Sequence, residues 1–193
     1  RRVRRLIFWQ LHFETAHSTD FALTTSDFAL FTDDFALRTD DLIMADQFQF
    51  YKQLDSADCG ATCLRMVARH HGRHYSLEFL RQLSYLDREG VSLMGISDAA
   101  EKIGMRTLGV KTGFKRLSED IPLPCVAHWQ QDHFVVVYKI SQGKVFVADP
   151  KIGKIELDEQ EFLNGWISDV VNTEAQGILL LLEPTPDFYE REG

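Results

Sequence analysis

The sequence predicts an α+β fold in which a helical subdomain packs against a mostly antiparallel β-sheet subdomain. Three observations carry that prediction. Residues 59–104 show helical spacing of apolar side chains between capping residues, residues 106–182 break into short strands separated by turn residues, and the helices precede the strands instead of alternating with them. At 193 residues with 45% hydrophobic content the chain can bury one good core, so one domain flanked by tails is expected.

The elements follow in chain order. The opening RRVRRLIFWQLHF has the basic start of a secretion signal, but its short apolar run contains Gln10 and His12 and no A-x-A cleavage site follows. No stretch approaches the roughly 20 apolar residues of a membrane span. A chain that begins with Arg1 rather than Met reads as a piece of a longer one. Residues 20–46 hold a period-seven repeat: Asp20, Asp27 and Asp34 each open D-F-A-L, and Asp41 opens a decayed D-L-I-M. A coiled coil needs two spaced apolar seams, whereas these apolar residues are consecutive and Thr, Ser and Asp fill the gaps. Residues 1–46 are therefore expected to be a low-complexity, ill-packed or disordered leader, with a short helix or a partner-binding segment as the alternative; no chemistry is assigned to it, and the domain is expected to begin near Gln47.

Within the domain, Cys59 to His71 reads as a first helix, stopped by Gly72 and carrying Arg69, His70 and His71 in its last turn, where cations suit the helix dipole. Ser76 caps a second helix, with Tyr75 and Leu80 spaced as a hydrophobic staple, and Ser92 begins a third that Gly104 can end. Strands are expected at residues 106–110, 125–129, 133–140, 144–148, 155–157 and 178–182. Asp158 and Glu161 form a capping-box pattern for a short helix through Trp166. The tail EPTPDFYEREG, with two prolines and five charges, reads as a linker leaving the domain, so the domain is taken as residues 47–183 and the linker as 184–193.

Composition removes some functions. The net charge of −8, with the downstream Lys and Arg interspersed with Asp and Glu, argues against a nucleic-acid partner, because phosphate contacts need a basic face. Three cysteines make no disulfide scaffold and fit a reducing compartment, where a thiol stays reactive.

The segment QLDSADCGATC, residues 53–63, then raises the question of a nucleophile. A cysteine attacks as thiolate and needs help to ionise near neutral pH. Cys59 sits where the first helix begins, within the positive end of the dipole, and Gly60 lets a substrate backbone come close. Gln53 is placed to donate from its amide to a developing oxyanion, beside the Cys59 backbone N–H. Among the histidines, His12 and His17 lie in the leader, while His70, His71 and His74 cluster with Cys63 in no familiar zinc spacing. His128 reads as a half-buried strand residue.

His133 is favoured by register. HFVVVYKI-SQG-KVFVADP predicts a hairpin with a three-residue loop ending in Gly143, which pairs Ile140 with Lys144 and Asp149 with Val135. His133 is then diagonal to Asp149 on one face, a separation of about 7–8 Å that side chains bridge. Asp149 is expected to accept His133 Nδ1–H, leaving Nε2 for the thiol. Asp149 followed by Pro150 also fits a simple turn opening. Cys63 and Cys125 read as buried core thiols.

With Q-L-D-S-A-D-C-G-A-T-C at 53–63, H-F-V-V-V at 133–137 and A-D-P at 148–150, residues 47–185 resemble the double-glycine leader peptidases, papain-like cysteine proteases at the amino end of bacteriocin-processing ABC transporters. The resemblance implies a papain-like fold with the active site in the cleft between the two subdomains. It also implies Cys59 as nucleophile, His133 as general base and acid, Asp149 as its orienting partner, Gln53 as oxyanion donor, and no metal or cofactor in this chain. The implied substrate is a precursor peptide cut after Gly-Gly or Gly-Ala at the end of its leader. The implied partners are the transmembrane and nucleotide-binding domains of an ABC transporter, on the cytoplasmic side of the bacterial plasma membrane. A leader-binding domain that does not cut, and a Cys-His-Asp acyltransferase, are the alternatives.

Overall fold

The computed structural model describes residues 48–84, 92–171 and 174–190, and everything below concerns these. The D-F-A-L repeat and the signal-like start lie outside them.

A short 3-10 turn, Ser56–Asp58, feeds directly into α1, Cys59–His70, followed by α2, Leu77–Leu83, and α3, Leu93–Lys102. Local chemistry sets their ends. Gly72 takes a positive φ of 86° just past α1, the left-handed stop that Gly accepts without steric cost. The Ser76 hydroxyl accepts from Phe79 N at 3.1 Å, and Ser92 accepts from Gly95 N at 3.0 Å, each satisfying an amide the helix start leaves open. Tyr75 and Leu80, the expected staple, are both buried.

The remaining elements are β1 (Met105–Gly113), α4 (Phe114–Glu119), β2 (Cys125–Trp129), β3 (His133–Ser141), β4 (Lys144–Asp149), β5 (Gly153–Asp158), α5 (Glu159–Trp166), β6 (Ile167–Val171), β7 (Glu174–Pro184) and α6 (Pro186–Glu190). Among the described residues the seven strands form one antiparallel sheet in the order β1-β7-β2-β3-β4-β5, with β6 also paired to β7. The sequence expectation lacked α4, β6 and α6. Of these, α4 and α6 are too short for a helical period to show, and β6 follows Trp166 with no turn residue to separate it from α5. Asp158 and Glu161 do close the reciprocal capping box: Glu161 N donates to Asp158 Oδ1 at 2.9 Å and Asp158 N to Glu161 Oε2 at 2.8 Å.

The core lies between α1 and the sheet. Nearly every residue from Cys59 to Ala68 is buried, and α1 rests mainly on β3, whose Val135, Val136 and Val137 have no exposed surface. A helix covered nearly all round has its axial position fixed by packing rather than by propensity. Two aromatic–glycine contacts lock the far side. A Cβ on Gly165 would meet the Trp129 ring at 2.2 Å, and one on Gly177 would meet Trp166 at 2.3 Å. The tail residues Pro186–Glu190 form a helix with Phe188 fully buried, seated where Thr185 N and Oγ1 both donate to Gly104 O. No helix among the described residues is long and apolar enough to cross a membrane.

Candidate active site

The β3–β4 hairpin decides which polar side chains meet. Its loop has two residues, Gln142 and Gly143, both at positive φ (54° and 73°), with Ser141 paired to Lys144. The expected three-residue loop is therefore corrected to a two-residue turn, the tighter form whose twist matches the strands. A bulge between Val137 and Lys139 inserts one residue, Tyr138, whose ring stacks on Phe48 at 4.6 Å between centroids. Beyond the bulge Val136 faces Ala148, and one step further places Asp149 across from Val135, as the sequence register had it.

His133 and Asp149 accordingly meet. His133 Nε2 donates to Asp149 Oδ1 at 2.8 Å, and both side chains are largely shielded, at 14% and 7% exposure. The expected nitrogen is thereby reversed. The diagonal between the strands takes the full reach of the ring to Nε2, so Nδ1 is the nitrogen left for the sulfur of Cys59. Burial works against a charged ring, but the Asp149 carboxylate and the Cys59 sulfur outweigh it and lift His133 from its ordinary 6.5 to about 9. Burial also pushes the Asp149 carboxyl up, yet His133 and the backbone N–H groups of Lys151 and Ile152 hold it below the usual carboxylate range. Asp149 is a turn opener as well: its Oδ1 accepts from Lys151 N at 2.8 Å and its carbonyl from Ile152 N at 3.2 Å. Asp149 therefore opens the turn and meets His133 at the same time.

Cys59 begins α1 with 4% of its surface exposed. Gln53 is joined to the acid's strand end by a backbone bond, Gln53 N to Pro150 O at 3.0 Å. Its side-chain Nε2 donates to Asp55 O at 2.9 Å, while Oε1 is buried with no hydrogen-bond partner. The site thus brings Cys59, His133 and Asp149 together with Gln53 at the edge, and this arrangement can hold an imidazolium between a carboxylate and a thiolate. Such a pair has a nucleophile and a proton donor ready at the same carbonyl.

The other candidates lie elsewhere. His128 faces Phe134 across the ladder, with ring centroids at 5.3 Å, and burial lowers its pKa. His71 is packed beside His70 and Phe188 and is pushed down to about 4 by burial and by His70. Cys63 and Cys125 have no exposed surface and burial raises both thiols. The Cys63 Sγ–H donates to Phe134 O at 3.3 Å, next door to His133.

Sequence reasoning missed one feature of the site. Asp58, the residue before Cys59, is completely buried and paired with Arg81 of α2. Nothing in the sequence spacing of 58 and 81 announces their contact.

A model of the peptidase C39 family matches residues 47–182. The chain is 36% identical over 141 residues to the lactococcin-G-processing and transport ATP-binding protein LagD of Lactococcus lactis, a match covering 70% of this chain and 19% of that protein. To the colicin V secretion/processing ATP-binding protein CvaB of Escherichia coli it is 32% identical over 109 residues, 56% of this chain and 16% of that one. In three dimensions it resembles a double glycine motif protease from an AMS/PCAT transporter, solved in complex with the leader peptide, with a TM-score of 0.64 at 26% identity over 71% of this chain and 91% of the other. The peptidase domain of Streptococcus ComA, a bi-functional ABC transporter, gives 0.61 at 27% identity over 72% and 99%. The matched stretch is under a fifth of the length of LagD or CvaB and nearly all of the solved peptidase domains.

Proposed function

This chain belongs to the peptidase C39 family, and from that premise we propose that it is a cysteine endopeptidase that removes the leader of a precursor peptide by cutting after a Gly-Gly or Gly-Ala pair. The observation that carries the reading is the His133 ring held between Asp149 and the Cys59 sulfur and lifted to about 9.

Each step falls to a residue of the site. The Cys59 thiolate attacks the carbonyl carbon of the second residue of the pair. The oxyanion that forms is met by the Cys59 backbone N–H and by Gln53 Nε2. His133 Nδ1–H gives its proton to the leaving amine, the C–N bond breaks, and a thioester joins the leader to Cys59. Water, deprotonated by the same nitrogen, attacks the thioester and releases a leader carboxylate and the thiolate. Asp149 keeps Nε2–H engaged throughout, so the ring stays aimed. Side chains, one backbone N–H and water supply every step, with no metal or cofactor invoked.

The depth of the thiol supports the substrate class. With Cys59 only 4% exposed, a scissile carbonyl has to come close to the helix start, and residues with no Cβ or a single methyl permit that approach. The relatives named for processing together with transport or secretion support a place for this domain within an ABC exporter, and we place its action on the cytoplasmic side of the membrane.

Mass spectrometry of a double-glycine precursor incubated with the protein tests the reading. Free leader ending in a carboxylate is expected, and Cys59→Ala should yield none. Cleavage by Cys59→Ala at the parent rate would overturn it, and a leader joined to an added amine would mark an acyltransferase instead.

A further inference from the structure

We propose that Arg81 is a positioning residue of the reaction, acting through Asp58 to hold the loop that carries both oxyanion donors. This deepens the peptidase reading above and rests on Cys59 being its nucleophile.

Asp58 grips the loop from its end. Its Oδ2 accepts from Asp55 N at 2.8 Å, and its own backbone N donates to Asp55 O at 3.2 Å. The same Asp55 carbonyl accepts Gln53 Nε2 at 2.9 Å. The Asp55 residue is therefore fixed at both its N–H and its C=O, and the Gln53 amide is fixed through it. The other donor, Cys59 N–H, belongs to the peptide that joins Asp58 to Cys59. Whatever holds Asp58 sets both donors together.

Arg81 holds Asp58. Its Nε donates to Asp58 Oδ1 at 2.7 Å and its Nη2 to Asp58 Oδ2, a two-pronged contact that fixes the carboxylate plane as well as its position. Glu78, largely exposed, sits 3.5 Å from Arg81 Nη1 and braces the guanidinium from the solvent side. Desolvation pushes the Asp58 carboxyl up, but Arg81 and the Asp55 and Leu54 backbone hold it below its ordinary value, so the group stays ionised.

Stability alone does not account for such a pair. A buried ion pair gains little over apolar side chains of the same size, because desolvation offsets the attraction. Here a carboxylate is kept charged with no exposed surface one residue from the nucleophilic cysteine, where its field opposes a negative sulfur unless a cation stands beside it. The arrangement makes sense if the fork geometry is what is needed. A misplacement of about 1 Å in a catalytic constellation can cost on the order of 100-fold, and losing one oxyanion donor outright costs on the order of 100-fold to 1,000-fold in kcat.

The test compares Arg81→Met, Arg81→Lys and the double variant Asp58→Asn/Arg81→Met with the parent. The readouts are kcat and KM on a peptide spanning a Gly-Gly site and hydrogen exchange of the amides of residues 53–59. For Arg81→Met, kcat should fall roughly 30-fold to 100-fold with KM within about threefold, since the donors act on the transition state and not on substrate binding. Exchange should quicken at residues 53–59 and stay parental in β3 and β4. Arg81→Lys keeps the charge without the fork and should recover only part of kcat. The double variant leaves no unpaired buried charge, so it folds even if Arg81→Met does not, and its kcat should remain low. Parental kcat per folded molecule in Arg81→Met, a loss confined to KM, or full recovery in the double variant would each overturn the proposal. If the parent itself fails to cut, the peptidase reading falls, and the exchange at residues 53–59 still decides whether Arg81 positions the loop.

Discussion

Replacing Asp149 by Asn isolates the charge from the geometry. The Asn oxygen can still accept from His133 Nε2 and from Lys151 N, both 2.8 Å from Asp149 Oδ1 in the parent, so the ring should remain aimed. What disappears is the carboxylate that offsets burial of the imidazolium. The interval between 6.5 and about 9 corresponds to roughly 3 kcal/mol of preference for the charged ring, at about 1.4 kcal/mol per tenfold. Asp149 shares that preference with the Cys59 sulfur, so its part is on the order of 1–3 kcal/mol and the loss of kcat/KM near neutral pH should be about 10-fold to 100-fold.

The assay is kcat/KM on a Gly-Gly peptide from about pH 5 to about pH 10, where the alkaline limb reports loss of the His133 proton in the free enzyme. The parent limb should lie near 9, and the Asp149→Asn limb about 1–2 pH units lower, at about 1.4 kcal/mol per tenfold. Stability gives an independent reading of the same group. A folded-state pKa above the unfolded one stabilises fully below 6.5 and loses that contribution as pH rises through about 9. The parent should therefore lose melting temperature across that window, and Asp149→Asn should lose much less. A limb that stays near 9 in the variant, with kcat/KM within about twofold of the parent, would refute the electrostatic account of the pair.

Two further outcomes concern the frame. Gly165→Ala, which helix propensity favours by about 1 kcal/mol, should instead destabilise by about 1–3 kcal/mol because its Cβ would sit 2.2 Å from the Trp129 ring; chemical denaturation measures it, and Trp129→Leu in the same chain should relieve it. His71, pushed down to about 4 by burial and by His70, is held neutral in the fold, so its contribution is present above 6.5 and drains away as pH falls toward 4. Because the His133 contribution is constant below 6.5, a fall in melting temperature between pH 6.5 and about 5 that persists unchanged in His71→Asn would contradict this assignment.

How far the sequence disclosed the site depends on which kind of contact is asked about. Cys59, His133 and Asp149 were legible because their chemistry demands particular residue types and because strand periodicity puts 133 and 149 on one face. The hairpin prediction reached that register through two offsetting differences. The real loop is one residue shorter than expected, and the bulge at Tyr138 restores the count. No local signal marks that bulge, since Tyr138 is held by Phe48, ninety residues earlier in the chain. The ring nitrogen was misread for a related reason: register gives facing residues, not the reach of one atom over another. Asp58–Arg81 was illegible because it depends on how α1 and α2 cross. The packing of Phe188 in the tail depends on the shape of a seat at Gly104 that local composition does not record.

These contacts close a circuit, and the circuit explains why the residues found last matter to those found first. From Cys59 the path runs one turn along α1 to Cys63, whose thiol donates to Phe134 O beside His133. It crosses the β3–β4 ladder to Asp149, turns at Pro150, and returns through Pro150 O and Gln53 N to the loop that starts α1. Arg81 pins that loop at Asp58. In an open chain of contacts a shift of one member leaves the others in place. In a closed one, the sulfur, the ring and the oxyanion donors can separate only if a hydrogen bond or a ladder pair breaks, at about 0.5–1.5 kcal/mol for each neutral bond and about 1.5–3 kcal/mol for each bond to a charged group. The charged contact at Asp58 is the strongest tie on the loop side. Loosening of the site should therefore begin at the neutral Gln53–Pro150 link when Arg81 is intact, and at residues 53–58 as a block when it is not.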